Sequence, residues 1–178
     1  MMDEEAARSS VGANGVLFNP SLAGGNTLDA TAAIRGAFLN LDLRHTRADL
    51  LRAVMEGVAM GLRNVLDELR IWVPISEPLT LVGGGANSPF WRQMFADVYH
   101  MPVISSKAGQ QAAALGAAAV AAVGAGLWND FTQIDALTEV AIRNEPDVKR
   151  ASDYECLLAK YRQAAELLGH WTKGRGTL

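Results

Sequence analysis

The chain has little cysteine and no excess of basic charge, and each shortage excludes a class of protein. A single cysteine among 178 residues, Cys156, excludes an internal disulfide framework and fits a reducing compartment such as the cytoplasm. Lys and Arg number 16 against 19 Asp and Glu, so the net charge of -3 argues against a nucleic-acid partner. The first residues are acidic and lack an apolar run, which excludes a signal peptide there.

Metal-ligand spacing and long hydrophobic runs are also scarce. The three histidines, His45, His100 and His170, are scattered, and we predict no metal site. Residues 112–128 are almost free of polar groups and approach the length of a membrane span. They are mostly alanine and glycine, which are weakly hydrophobic, and no basic cluster or aromatic belt flanks them. We therefore predict a closely packed small-residue helix and no membrane segment.

Apolar periodicity predicts strands that alternate with helices, which is typical of an α/β chain. Residues 46–49, Thr-Arg-Ala-Asp, form a capping-box pattern, and apolar residues then recur at steps of three and four up to Leu69. This predicts an amphipathic helix that ends before Pro74. Alternating strands and helices imply parallel pairing through right-handed crossovers. The other predicted elements are strands at 16–18, 79–83 and 102–105 and helices at 89–99, 110–123 and 152–168.

Several other polar, cysteine and tryptophan side chains are explained by packing or solvent exposure, without a role in binding or catalysis. The polar residues of the first long helix, Arg52, Glu56, Arg63 and Asp67, are predicted to form a solvated face. Cys156 is predicted to be a buried, inert thiol, and Trp72 and Trp91 are predicted to be packing residues and not stacking platforms for a ligand. Residues 127–147 are predicted to be irregular. Two parallel strands and one short early strand are few for so much helix, so part of the domain is predicted to be absent from this polypeptide.

Residues 79–93 combine a short apolar strand, three consecutive glycines and a helix that begins behind Ser88-Pro89. Glycines allow a sharp turn and close approach to main-chain N–H groups, Ser88 can cap the helix, and Pro89 suits its first position. The free N–H groups of that first turn and the positive end of the helix dipole favour an anion such as a phosphate. A tight strand–helix turn without a ligand explains three glycines alone equally well.

Two common phosphate-binding motifs are excluded at this turn. A dinucleotide fingerprint needs a third glycine where Ser88 stands and an acidic residue near the end of the next strand, which instead reaches Lys107. A Walker A loop needs Gly-Lys-Ser/Thr after the glycines, and none follows. A nucleotide held by this turn would belong to another class of site.

Six segments, in order and at the right spacing, match those of one known family: 22–24, 34–38, 45–50, 55–59, 83–93 with 96–97, and 112–118. On these segments the chain resembles the C-terminal domain of the FGGY carbohydrate kinases, most nearly their xylulokinase-like members, over about 15–168. The resemblance implies an incomplete ribonuclease-H-like (actin-like ATPase) domain with parallel strands and flanking helices. It divides the chain into a flexible leader, 1–14, a partial kinase domain, 15–170, and a tail, 171–178.

The resemblance also implies a reaction and nucleotide contacts. The family transfers the γ-phosphoryl group of Mg-ATP to a sugar hydroxyl in a cleft between two such domains. Gly84 and Gly85 would supply backbone contacts to adenosine and the α-phosphate, and Ser88 would face the adenine or ribose. Asn40 would lie near the ATP phosphates, where relatives tend to have glycine, and Asn tolerates left-handed backbone better than other non-glycine residues.

Two departures from the family pattern limit what the resemblance implies. Residues 25–28, Gly-Asn-Thr-Leu, stand where the family usually has Glu-Arg and then proline, which indicates a divergent subgroup with a different sugar. The family's catalytic base, its sugar-binding residues and its main Mg-phosphate segment lie upstream of the matched region. We therefore assign no catalytic residue and no magnesium ligand to this chain.

The sequence thus predicts the nucleotide-side part of a cytoplasmic, ATP-dependent sugar kinase, inactive on its own, with the sugar bound only alongside the missing half. The alternative is a non-catalytic binding or assembly module. Such a module would pair with itself or with a kinase-like partner through an exposed sheet edge and apolar helix surface. A homo-oligomer is expected.

Overall fold

A computed structural model describes residues 2–25, 28–29, 31–106, 109–137 and 139–173. The α-helices in these ranges are Met2–Ala6 (α1), Arg47–Trp72 (α2), Pro89–Tyr99 (α3), Ala112–Gly124 (α4) and Val148–Lys173 (α5). The strands are Leu17–Asn19 (β1), Ala37–Leu39 (β2), Leu79–Leu81 (β3), Val103–Ser106 (β4) and Val140–Asn144 (β5). The predicted alternation of strands and helices is confirmed, and the helix bounds agree best at α2 and α3.

The strands form two sheets. β3 and β4 are parallel, with Leu79 opposite Val103, and α3 connects them as the alternating pattern predicted. β5 is antiparallel to β4 and completes a sheet of order β3-β4-β5, so the prediction of an irregular 127–147 segment is wrong at β5. Four of the five β5 residues are exposed, and such a strand shows little apolar alternation. β1 and β2 pair separately and antiparallel.

The main core lies where α2, α3 and α5 meet the inner face of the β3-β4-β5 sheet. Met55 and Met60 of α2, Met94 of α3 and Tyr154 of α5 are almost fully buried in one apolar cluster. The predicted capping box starts α2: the Asp49 carboxylate accepts a hydrogen bond from the Thr46 backbone N–H at 2.7 Å. The spacing of apolar residues along α2 therefore places the helix as the sequence predicts.

The polar side of α2 is not the solvated face that the sequence predicts. Arg52, Glu56 and Arg63 are 6%, 1% and 8% exposed. Arg52 Nε donates to Glu56 Oε1 at 2.7 Å, and the Tyr154 hydroxyl and the Gly12 N–H donate to the same oxygen at 3.0 Å each. Burial raises the pKa of Glu56, whereas the neighbouring Arg52 opposes that rise. Segments distant in sequence cover this face, so helical periodicity could not reveal its burial.

The prediction of a flexible leader also differs from the structure. Ala6 is fully buried, and Ser9 Oγ donates to Asp49 Oδ1 at 2.6 Å. Asn14 Nδ2 donates to the same carboxylate oxygen at 2.7 Å. Residues 2–14 therefore pack on α2 because its first turns present a carboxylate and a buried ion pair that need partners.

Cys156 is exposed, contrary to its predicted burial. Trp72, predicted to be a packing residue, is also exposed, at the last position of α2. Trp91 does pack as predicted, stacked on Phe95 with ring centroids 5.1 Å apart and against the main core. No described helix has the length and apolarity needed to cross a membrane. The predicted small-residue helix is α4, with 13 residues, but the expected close packing is wrong, because only Ala119 of this helix is buried against the described residues.

Replacing Asp49 with asparagine should weaken the packing of the N-terminal segment. Hydrogen bonds from Ser9, Thr46 and Asn14 hold the pKa of Asp49 well below its usual range. We expect a loss of about 2 kcal/mol in the free energy of unfolding at pH 7. A depressed carboxyl pKa stabilises above the unfolded-state pKa of about 4, so the difference from the wild type should shrink as the pH falls below that value.

Urea unfolding at pH 7 and pH 3 measures this difference, and Asp153→Asn on the exposed side of α5 is the matched control. A pH-independent difference between Asp49→Asn and the wild type would contradict the assignment.

Gly57→Ala should destabilise the contact between α2 and the β1-β2 pair. A Cβ at Gly57 would collide with the backbone carbonyl of Phe18, which cannot rotate away as a side chain can. We expect a loss of about 2 kcal/mol, measured by urea unfolding. Gly61→Ala is the control, because its nearest neighbour is the side-chain hydroxyl of Tyr161 at 3.3 Å. Equal stabilities of the two variants would rule out the close approach at Gly57.

Candidate nucleotide site

The glycine turn follows β3 and leads directly into α3. Gly83 has φ 83° and ψ -172°, a conformation that a side chain would strain, and Gly84–Asn87 form one 3₁₀ turn. The Ala86 N–H donates to the Gly83 carbonyl at 3.2 Å. Ser88 then caps α3 as predicted: its hydroxyl accepts a hydrogen bond from the Trp91 N–H at 3.2 Å. Only Gly83 has the positive φ that favours glycine in this turn.

The three glycines leave the turn open. A Cβ built on Gly83, Gly84 or Gly85 would meet no atom within 4 Å among the described residues. Packing against the described residues therefore does not explain glycine at positions 84 and 85. Their backbone is free to be approached closely, which fits a phosphate or a nucleoside lying against the turn.

A second turn adjoins the first at the same edge of the sheet. The Gly83 N–H donates to the Gly109 carbonyl at 3.2 Å, and Gly109 follows β4. Ligands of α/β sheets commonly bind beyond the carboxyl ends of parallel strands, which is where both turns lie. A cavity of about 260 Å³ continues from them between the sheet and α4. It is largely apolar, and its lining residues are Thr80, Val82, Ile104, Ser106, Gly109, Ala112, Leu115, Ile134 and Val140.

The structure brings Gly84, Gly85 and Ser88 together but places Asn40 directly after β2, beside the other sheet. Asn40 has φ 61°, so it adopts the left-handed backbone conformation that asparagine tolerates better than other non-glycine residues. Its side-chain amide donates to the Gly15 carbonyl at 3.0 Å. That hydrogen bond ties β2 to the start of β1, and a role for Asn40 at the phosphates stays a prediction.

Arg92 and Asn144 belong to the same region but were not selected from the sequence. Arg92 is 5% exposed, and its Nη1 donates to the Ala86 carbonyl of the turn at 2.7 Å. Its Nε donates to Asn144 Oδ1 at 3.2 Å, and Asn144 Nδ2 donates to Gln93 Oε1 at 3.1 Å. The available sequence signal was a cation in the first turn of a helix, where the helix dipole disfavours it.

Two further sequence predictions, on metal binding and on the C-terminal tail, can be compared with the structure only over the described residues. Within the described ranges, no three His, Cys, Asp or Glu side chains are grouped so that they could hold a metal ion. Some residues of the sequence motifs lie outside the described residues: Asn26, Thr27 and Lys107. Residues 174–178 of the predicted tail also lie outside them.

Comparison with known proteins identifies the family. The family model described as the C-terminal domain of the FGGY family of carbohydrate kinases matches residues 1–125. The chain belongs to the FGGY family of carbohydrate kinases. The match includes residues 2–14, in agreement with their packing on α2.

The FGGY chain is similar to xylulose kinases in sequence and in structure. It is 35% identical over 168 residues to a xylulose kinase of Staphylococcus epidermidis (strain ATCC 12228 / FDA PCI 1200), covering 94% of this chain and 33% of that protein. It is 34% identical over 156 residues to a xylulose kinase of Bacillus subtilis (strain 168), covering 85% and 30%. The crystal structure of xylulose kinase from Rhodospirillum rubrum superimposes with a TM-score of 0.78 and 28% identity, covering 97% and 34%.

These comparisons confirm the predicted fold, a kinase-type α/β domain with parallel strands and flanking helices. The FGGY chain spans about a third of the length of the curated relatives it matches. The residues that the family model matches include both the glycine turn and the packed N-terminal segment.

Proposed function

We propose that this FGGY domain forms the nucleotide side of a cytoplasmic, ATP-dependent sugar kinase of the xylulokinase type. The observation that carries the proposal is the open turn at Gly84 and Gly85, which meets the N-terminus of α3 beyond the ends of two parallel strands. The named relatives are xylulose kinases, which supports a sugar as the phosphoryl acceptor.

The residues around the turn fit a nucleotide. The open backbone at Gly84 and Gly85 and the positive end of α3 suit phosphate oxygens. The adjoining cavity of about 260 Å³ offers apolar walls with a few hydroxyl groups, which suits a flat heterocyclic base. The Ser88 hydroxyl already accepts the capping hydrogen bond, and it can still donate its own proton to a ligand oxygen.

Phosphoryl transfer depends on positioning the phosphates, a metal ion and the attacking hydroxyl together. Mg²⁺ bound with ATP would supply charge neutralisation for the transferred group. This chain's own contribution is to bind and orient the nucleotide, and no residue in it is assigned as the catalytic base or as a metal ligand. We therefore propose that the 178-residue chain binds ADP or ATP but does not turn over alone.

The wild-type chain should bind ADP with a Kd of about 1 mM, equivalent to about -4 kcal/mol, measured by NMR titration. Shifts should be confined to the residues of the glycine turn, the start of α3 and the adjoining cavity. Gly85→Val should abolish binding, because a branched side chain would block the approach of the ligand. The control is Gly124→Val at the end of α4, where a Cβ also meets open space among the described residues.

Absence of shifts at several millimolar ADP would count decisively against the nucleotide site. The same preparation, assayed with Mg-ATP and several pentuloses and polyols, should release no ADP in response to sugar. Sugar-dependent release above the level of contaminating kinases would contradict the proposed inactivity of the chain alone.

A second candidate function, assembly through self-association, is favoured by an exposed apolar stripe on α2. Leu62, Val65, Leu69 and Trp72 recur at three- and four-residue steps, and Trp72 is 75% exposed. β3 lies at the edge of its sheet, so its outer backbone groups can accept another strand. We propose that two copies of the chain pair through this stripe and this edge.

Sedimentation velocity should show a dimer that forms as the concentration rises, and Leu69→Lys should reduce the dimer fraction by burying a charge in the contact. Val148→Lys, which replaces an exposed apolar residue at the start of α5, is the control and should leave the dimer fraction unchanged. A wild-type chain that stays monomeric at the highest concentration would eliminate this candidate.

A further inference from the structure

Arg92 is a buried cation fixed between the glycine turn and β5. It lies in the first turn of α3 and is 5% exposed. One guanidinium nitrogen donates to the Ala86 carbonyl at 2.7 Å, and another donates to the side-chain oxygen of Asn144 at 3.2 Å. Both acceptors are neutral, so neither compensates the charge of the guanidinium.

The two buried arginines of α2, in contrast, each form an ion pair with a carboxylate. Arg52 lies 2.7 Å from a Glu56 carboxylate oxygen, and Arg63 lies 2.6 Å from an Asp67 carboxylate oxygen. Among the described residues, no carboxylate forms an ion pair with Arg92. An unpaired charge is costly to bury, and the positive end of the α3 dipole adds to that cost.

The positive charges therefore accumulate at one place. The guanidinium and the positive end of the α3 dipole both lie at the glycine turn, and the first turn of α3 contains no acidic residue. An anion placed against the turn would offset both, because a charge counts for more in a partly buried site than in water.

We propose that Arg92 is a positioning residue for the nucleotide phosphates, held in place by Asn144. It fixes the Ala86 carbonyl and so the orientation of the 3₁₀ turn at Gly84 and Gly85. Its uncompensated charge raises the affinity of the turn for phosphate. The inference rests on the proposed function, since the anion it serves is the phosphate group of the nucleotide.

Asn144→Asp tests the charge with little change of shape. The aspartate keeps the oxygen that accepts from Arg92 Nε and adds a carboxylate that neutralises the guanidinium. ADP affinity should fall about tenfold by NMR titration, whereas adenosine, which has no phosphate, should bind as it does to the wild type. Arg143→Gln, an exposed neighbour on β5 that pairs with Glu145, is the control and should change neither affinity.

Arg92→Lys is the second variant, and it tests the geometry. Lysine keeps the charge but loses the fork that reaches Ala86 and Asn144 together, so the ligand-free amide resonances of residues 84–88 should shift. ADP binding should weaken more than adenosine binding in this variant too.

The outcomes separate the inference from the proposed function. Equal ADP affinity in the wild type, Asn144→Asp and Arg92→Lys overturns the inference and leaves the nucleotide site intact. Equal losses for ADP and adenosine show a merely structural role and also overturn it. A wild-type chain that binds no ADP overturns both the inference and the proposed function.

Discussion

The buried ion pair between Arg52 and Glu56 is the contact on which the arrangement of the helices depends. Arg52 donates to the Ser9 carbonyl and to the Tyr154 hydroxyl and lies 5.4 Å from the centre of the Phe90 ring. One guanidinium group on α2 thereby contacts the N-terminal segment, α3 and α5. A buried pair of this kind adds little over well-packed apolar side chains, but removing one partner leaves an uncompensated charge. The pair therefore specifies one arrangement of these segments.

The contacts of this ion pair with distant segments explain why the sequence predicts some structural features well and others poorly. Thr46, Asp49 and the apolar steps of α2 are local signals, as are Ser88 and Pro89 at the start of α3, and both helices lie where predicted. The burial of Arg52 and Glu56 depends on Gly12 and Tyr154, which are 44 and 98 residues away from Glu56. Periodicity within one helix carries no information about partners at that distance.

In the candidate site, too, local features could be predicted from the sequence and contacts between distant segments could not. The open turn at Gly84 and Gly85 could be found from the sequence, because three glycines before a capped helix form a local pattern. Its connection to β5 could not, since Asn144 reaches Arg92 only through the antiparallel pairing of an exposed strand with β4. The resemblance to the family identified the turn residues because it is based on contiguous sequence segments. It gave no information on contacts between those segments.

The glycines of the turn differ in what their retention would mean during evolution. Gly83 adopts a backbone conformation that only glycine takes readily, so folding alone would preserve it even in a lineage that had ceased to bind nucleotide. Gly84 and Gly85 are under no such constraint from the described chain, because side chains there would meet open space. Drift at these two positions, with Gly83 retained, would mark a descendant that keeps the fold after selection for the ligand has been relaxed.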